Sequence, residues 1–400
     1  MDSLLEQIQT AALQADAAGR HKVLDFLRSL QLKLESPHDA LSRYSGLHLE
    51  ITAARIAEDL NIFGTLANSN TPLTSVELAS KKAASPLLTM GCTIATDPGI
   101  TSPSLGRILR YLASVGMVNE AGPDSFTANT LTKTLAQPGY RGGIYHFFDN
   151  CGPVFQALPA FLAKTKYQDI TDADHTAFQE AFPTDLPAFM WLPSQPERFG
   201  PLQQVMTVQG AMGVPWFTVF PFERELEGFD GQCVLVDVGG GFGHQCTALL
   251  NAFPQLKDKL VLQDLPQTLA QLPPGITIPG GIEAVGHDFF QEQPVKGARF
   301  YYLRQVLHDW PDEKCIAILK QLVTASGPQS QILIDEMVLP DTGVTWEAAT
   351  IDLTMMSSLG SRERTIKEWT NLLDQASLKI QEVYTYLPRR QDSIIQAVPK

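Results

Sequence analysis

The chain has 400 residues, 44% of them apolar and 18% charged, which describes a folded protein long enough for two domains. Its formal net charge of −13 argues against a surface built to hold nucleic acid or anionic lipid. The five cysteines, Cys92, Cys151, Cys233, Cys246 and Cys315, show neither C-x-x-C nor zinc spacing, so no disulfide framework and no structural metal are indicated.

The N-terminus, MDSLLEQIQTAALQAD, carries acids early and leucines at helical spacing. It does not read as a signal peptide, no apolar run reaches membrane-spanning length, and a cytoplasmic enzyme without a membrane partner is expected. Residues 3–34 predict two amphipathic helices. Residues 50–136 carry the pattern of a winged helix. One helix runs over Ile51–Leu66, Thr74-Ser75-Val76-Glu77 is a capping box opening a second, Leu105–Val115 is a third, and Phe126–Leu135 closes the wing. A winged helix alone would suggest DNA, which the acidic balance opposes. The run 87–103, LLTMGCTIATDPGITSP, interrupts it with no helical period. It reads as an insertion loop, or as a retained intron, since joining Pro86 to Ser104 gives a conventional connection. Residues 182–220 are rich in aromatics and methionine, most of them expected to be core.

Residues 234–243, VLVDVGGGFG, narrow the function most. A β-branched strand ends at Asp237, four glycines follow in five positions, and a helix is expected from His244. No frame supplies G-x-G-x-x-G, the dinucleotide fingerprint. What fits is D-x-G-x-G-x-G, using Asp237, Gly239, Gly241 and Gly243, which resembles the first motif of S-adenosylmethionine (SAM) dependent methyltransferases. Val261–Asp264 is a second strand ending in an acid placed to accept from both ribose hydroxyls, followed by Leu265; a simple helix cap is the competing reading of Asp264. Gly286-His287-Asp288-Phe289-Phe290 is a third strand end, where Asp288 can meet an adenine amine and Phe289 stack on its ring.

A fourth strand, entered at Phe300, places His308 near its carboxyl end, and Pro311 with two acids opens a helix. Ile332–Glu336 is a fifth strand ending in Glu336, and Ser361-Arg362-Glu363-Arg364-Thr365 lies between two helices. A histidine flanked by carboxylates from two other elements is the arrangement of a general base held in one tautomer.

Taken in order and spacing, DVGGGFG, LQDLP, GHDFF, LRQVLHDWPDEKC, ILIDEMVLP and SRERT closely resemble the O-methyltransferase family of plant and fungal secondary metabolism. The resemblance implies an α/β fold: a Rossmann-like SAM-binding catalytic domain over 226–400, linking helices over 141–225 that line the acceptor pocket, and an N-terminal, mainly helical winged-helix dimerisation domain over 1–140. It implies a homodimer acting on a small hydroxylated aromatic or polyketide acceptor. By position it makes His308 the base and Glu336 and Glu363 its flanking carboxylates, with Asp237, Gly239, Gly241, Asp264, Leu265, Asp288, Phe289 and Arg304 around SAM. Arg304 stands where the plant members have Lys, which keeps the charge and changes the hydrogen-bond geometry. Acceptor contacts are expected from His146, Phe147, Asp149, Met355 and Met356, and no metal is required. Some fungal relatives keep the SAM pocket and catalyse dehydration or pericyclic chemistry, so that alternative stays open.

Overall fold

The computed structural model describes residues 2–81, 102–211, 214–270, 272 and 277–400. Residues 87–101 of the expected insertion lie outside these, and its last two residues, Ser102 and Pro103, open a helix. The described chain forms two compact units, divided near Thr132.

The first unit holds α1 (Asp2–Gln14), α2 (Ala17–Leu34), α3 (Pro37–Asp59), α4 (Ile62–Ala67), α5 (Ser75–Ser80) and α6 (Ser102–Ser114), then the hairpin of β1 (Asn119–Gly122) and β2 (Ser125–Thr127). The single helix expected over 51–66 is two. Asn61 takes a left-handed conformation (φ 50°), which Asn tolerates better than most residues, and the turn breaks there. Thr74 and Glu77 cap each other and start α5: the Glu77 carboxylate accepts from the Thr74 N–H at 2.7 Å. Around them Phe63, Leu66, Leu109, Leu112 and Phe126 are fully buried. The long N-terminal helices are different. No residue of α1 is buried, and Leu4, Leu5 and Leu13 on α1, Leu24, Phe26 and Leu27 on α2, and Leu41, Tyr44 and Leu47 on α3 are all exposed.

After α7 (Thr130–Leu135), the second unit begins with α8 (Pro138–Tyr145), a π-helical turn (His146–Cys151), α9 (Gly152–Lys164), α10 (Ala177–Ala181), α11 (Ala188–Trp191), α12 (Pro196–Ala211) and α13 (Phe222–Leu226). Gly139 and Gly142 let α8 lie directly on α12: a Cβ on Gly142 would stand 2.8 Å from the Pro201 carbonyl oxygen. Next come β3 (Leu235–Val238), α14 (His244–Ala252), β4 (Leu260–Asp264), α15 (Pro266–Ala270), β5 (Ile282–Gly286), β6 (Phe300–Arg304), α16 (Asp312–Ala325), β7 (Gln331–Leu339), α17 (Trp346–Leu359), β8 (Arg364–Thr365), α18 (Ile366–Gln375), β9 (Leu378–Leu387) and β10 (Asp392–Pro399).

The strands make one sheet in the order β5-β4-β3-β6-β7-β10-β9. Neighbours pair in parallel from β5 to β7, and β10 runs antiparallel to both β7 and β9. Chain order reverses between β3 and β6, so the crevice at their carboxyl ends is a topological switch point. Both faces are covered, as the apolar runs Phe300–Leu303 of β6 and Ile332–Ile334 of β7 require. Tyr301, Leu303, Ile332 and Ile334 pack with Leu319 and Trp369 on one face, while Phe300, Tyr302 and Leu333 pack with Trp216 and Phe222 on the other. The same alternation sends Asp335 and Glu336, adjacent on β7, to opposite faces. No helix among the described residues is long and apolar enough to cross a membrane.

Candidate active site

The glycine loop lies at the switch point. Gly239, Gly241 and Gly243 have φ of 71°, 57° and 75°, a region closed to most side chains. A Cβ on Gly239 would stand 3.0 Å from Val306 Cγ2 and 3.6 Å from Phe289 Cε1, so the β5–β6 connection and the loop after β6 both press on it. Asp264, at the end of β4, accepts from Gly241 N–H at 2.9 Å and from Leu265 N–H at 2.8 Å. That leaves the carboxylate with lone pairs to spare. Asp237 is buried and its Oδ2 has no partner; burial, with help from Asp264 and against Cys246 and Arg304, pushes its carboxyl up to about 7. Asp288 turns back to accept from Phe290 N–H at 3.0 Å, and Phe289 meets Phe290 edge-on with ring centroids 5.0 Å apart. Arg304 stands 3.6 Å from Asp335. A glycine cradle, an orphaned buried carboxylate oxygen and an acid with spare acceptor capacity fit a polar, partly cationic nucleoside such as SAM.

The loop after β6 turns sharply through Gln305 (φ 50°). Its free N–H groups converge on one atom: Glu336 Oε1 accepts from Val306 at 2.9 Å, Leu307 at 2.8 Å and His308 at 3.3 Å. Its carbonyls are held from the other side. The single Ser361 hydroxyl proton is shared between the His308 and Trp310 carbonyls, both within hydrogen-bond distance of Oγ, and the Arg364 guanidinium donates to those of Leu307 and Trp310 while pairing with Asp312 at 2.8 Å. Arg364 is almost wholly buried and also lies over the Trp369 ring. Sequence reasoning missed Ser361, Arg364 and Asp312, although two of them lie inside the SRERT run that was singled out for Glu363 alone.

His308 sits on this loop with Nδ1 2.7 Å from Glu363 Oε1. A carboxylate can only accept here, so the proton resides on Nδ1 and neutral His308 keeps a lone pair on Nε2. The two flanking acids are not equivalent. Glu336 Oε2 lies 4.0 Å from Nδ1, and the residue acts chiefly on the backbone. Glu336 also lies inside β7, which continues three residues past it to Leu339, and not at the strand end. Asp309, missed from sequence, stands 3.5 Å from Nε2. Burial disfavours the imidazolium, but Glu363, Glu336 and Asp309 outweigh burial and hold His308 well above its ordinary value. Burial raises Glu336 as well, and it raises Asp309 to about 6. Glu336 Oε2 and Glu363 Oε2 have no hydrogen-bond partner, so the cluster has acceptors in excess of protons.

Of the expected acceptor contacts, His146 is already engaged. Asn150 Nδ2 donates to its Nδ1 at 3.0 Å, which puts the proton on Nε2 facing Cys151 Sγ at 3.4 Å, and burial pushes it down to about 4. The Asp149 carbonyl accepts from Arg198, whose guanidinium lies over the Phe182 ring. Phe147 is exposed. Met355 and Met356, on α17, pack against the apolar cluster of Phe161, Phe178, Phe182 and Leu359. A cavity of about 780 Å³ opens beside the catalytic loop, lined among others by Ile170, Pro187, Phe189, Met190, Asp309 and Trp310.

A parallel sheet with a glycine loop at its switch point, an acid ending the next strand and a carboxylate-held histidine on the facing loop define a SAM-dependent methyltransferase. The chain belongs to the O-methyltransferase family of fungal secondary metabolism. Residues 222–379 match the O-methyltransferase domain. The whole chain is 42% identical to demethylsterigmatocystin 6-O-methyltransferase of Aspergillus flavus, covering 98% of it. It is 36% identical to O-methyltransferase okaF of Penicillium ochrochloron, with both chains fully covered. Among solved structures, LepI in complex with SAM superposes with a TM-score of 0.89 at 36% identity, over 100% of this chain and 98% of that one. A structure described as a pericyclic reaction enzyme matches with the same TM-score and identity, covering 100% of this chain and 99% of that one. The protein is thus a SAM-dependent O-methyltransferase with a small-molecule acceptor.

Proposed function

We propose that this enzyme methylates a hydroxyl on a flat, aromatic, polyketide-type metabolite, with His308 as general base. The observation that carries the reading is the 2.7 Å contact between His308 Nδ1 and Glu363, which leaves Nε2, beside Asp309, as the basic nitrogen. SAM, when bound, supplies a methyl group already activated on a sulfonium. Gly239, Gly241, Leu265, Asp237, Asp264, Asp288, Phe289 and Arg304 would hold it. A phenol of pKa ~10 is a poor nucleophile near neutral pH, and a positioned base contributes roughly 10²–10⁴ in rate. His308 Nε2 takes the hydroxyl proton as the oxygen gains its new bond. The Glu363 carboxylate stabilises the imidazolium so formed, and Glu336 keeps the loop, and with it the ring, in place. Phe147, Met355 and Met356 are the side chains we assign to the acceptor, with Asp149 helping through its turn. The A. flavus relative named for demethylsterigmatocystin makes a fused aromatic of that kind the first acceptor to try.

A second reading is favoured by one observation, the match to a pericyclic reaction enzyme over the full chain. In that case SAM would act without transferring its methyl. Product analysis separates the two. Methyl transfer gives an acceptor heavier by one methyl and one S-adenosylhomocysteine (SAH) per product. A rearranged or dehydrated product of SAM-independent mass, with no SAH formed, overturns our reading.

We further infer a cytoplasmic homodimer. The exposed leucines of α1, α2 and α3 support it, because so much apolar helix surface on a single chain calls for a covering partner.

A further inference from the structure

The sheet face opposite His308 buries a second charged cluster with no part in proton abstraction. Asp335, on β7, is 1% exposed, and both its carboxylate oxygens are taken by phenols. Tyr302, two residues before Asp335's register partner Arg304 on β6, donates to Oδ2, and Tyr386, reaching over from β9, donates to Oδ1 at 2.7 Å. Tyr302 is in turn stacked on Trp216, with ring centroids 4.8 Å apart. A carboxylate clamped by two ordered phenols in an apolar layer is costly to bury, and a hydrophobic replacement would serve packing as well.

What the cluster holds is Arg304. Its guanidinium lies 3.6 Å from Asp335, near enough to be oriented by the charge and too far to spend its hydrogen bonds on it. The Tyr302 phenol also stands against the guanidinium, and the donors beyond it remain for another anion. Arg304 ends β6, the strand beside β3 at the switch point, and its charge is felt both by Asp237 and by His244, the residues at either end of the glycine loop. SAM and SAH carry an amino-acid tail with an ammonium and a carboxylate. Asp237, with its unpartnered oxygen, suits the ammonium. The carboxylate needs a cation, and a planar fork suits it better than an ammonium does.

We propose that Asp335, Tyr302 and Tyr386 are positioning residues that aim Arg304 at the carboxylate of the SAM tail. The proposal rests on the assignment of Arg304 to the cofactor and deepens it. It also accounts for arginine at this place: a lysine would have no fork to orient.

The test compares SAH with 5′-methylthioadenosine, which keeps the nucleoside and thioether and lacks the carboxylate and ammonium. Both are titrated calorimetrically into the full-length protein, wild type and variants. Tyr386→Phe removes one oxygen and should weaken SAH about tenfold while leaving methylthioadenosine within about twofold. Asp335→Asn should do the same or more. Arg304→Ala should abolish most of the preference for SAH, and adding Tyr386→Phe to it should cost nothing further, because the positioning residue then has nothing to position. Retained methylthioadenosine binding shows that the pocket is folded in each variant. If Tyr386→Phe leaves SAH affinity unchanged, or weakens both ligands alike, the cluster is structural and the proposal fails. If wild type binds methylthioadenosine and SAH equally, the tail has no anchor and the proposal fails with the cofactor contact of Arg304 itself.

Discussion

At His308 the chemistry turns on which ring nitrogen carries the proton. Glu363 fixes it on Nδ1, and the surrounding acids favour the imidazolium, so the neutral base forms only above the ordinary imidazole value. The acid limb of the pH–kcat/KM profile is therefore expected above about 6.5, and activity should rise with pH through it. Glu363→Gln removes the negative charge that contributes most to the upward shift. That limb should move to lower pH even as kcat falls, a combination that a merely damaged site would not give; an unmoved limb would sever Glu363 from the base. Asp237 makes a prediction about stability. Its carboxyl titrates near 7 in the folded chain against an ordinary 3.8, because burial opposes the charge. Below 3.8 both states hold the proton and nothing is lost. Between 3.8 and about 7 the unfolded chain releases this proton while the folded chain keeps it, so stability is lost progressively across that range, by up to roughly 4 kcal/mol, and stays lost above it. Asp237→Asn should therefore raise the Tm of the ligand-free enzyme at about pH 8, with the gain fading toward about pH 5, and should weaken SAH binding. A Tm difference that does not vary with pH would contradict this.

At the scale of elements, the loop from Gln305 to Pro311 is held through its backbone as well as through the buried Val306 and Leu307 and the His308–Glu363 contact. Glu336 takes three of its N–H groups, while Ser361 and Arg364 take the carbonyls. Each buried donor left unpaired costs about 1–3 kcal/mol. Glu336→Ala should thus lower Tm by several degrees and disorder the base, whereas Glu336→Gln, which keeps an acceptor oxygen, should retain most of the stability and lose less activity than His308→Ala. Thermal unfolding and turnover of the two variants check this; equal Tm losses would mean that the charge and not the hydrogen bonds holds the loop. How much of this was legible beforehand follows from range. The glycine loop after β3 and the strand-end position of Asp264 on β4 were readable because each is fixed inside its own strand–turn–helix, where local composition decides the backbone. The division of labour between Glu336 and Glu363 was not, because it depends on which face of β7 each carboxylate leaves and on a loop 28–30 residues earlier in the chain. The break at Asn61 and the particular partners of His146 escaped for related reasons. One depends on a single left-handed residue, the other on a π-turn that folds Asn150 and Cys151 back onto the ring.

At the scale of the molecule, α1 and α2 present leucines that are exposed among the described residues. Deleting residues 2–34 is expected to convert a sedimenting dimer into monomer or aggregate, and a full-length protein that is monomeric and fully active would contradict the dimer. The relatives at 36–42% identity over the whole length, together with the LepI fold, fix the family and leave the acceptor to experiment. The central claim is that His308 abstracts the acceptor proton during methyl transfer. Its most direct test is single-turnover methylation by His308→Gln on an accepted phenolic substrate, with SAH affinity measured in parallel. The expected result is a fall in the methyl-transfer rate of about 10²-fold or more, SAH affinity within about twofold of wild type, and partial recovery with a more acidic phenol that is already ionised. Near-full turnover by His308→Gln, with methylated product formed at the wild-type rate, would contradict it.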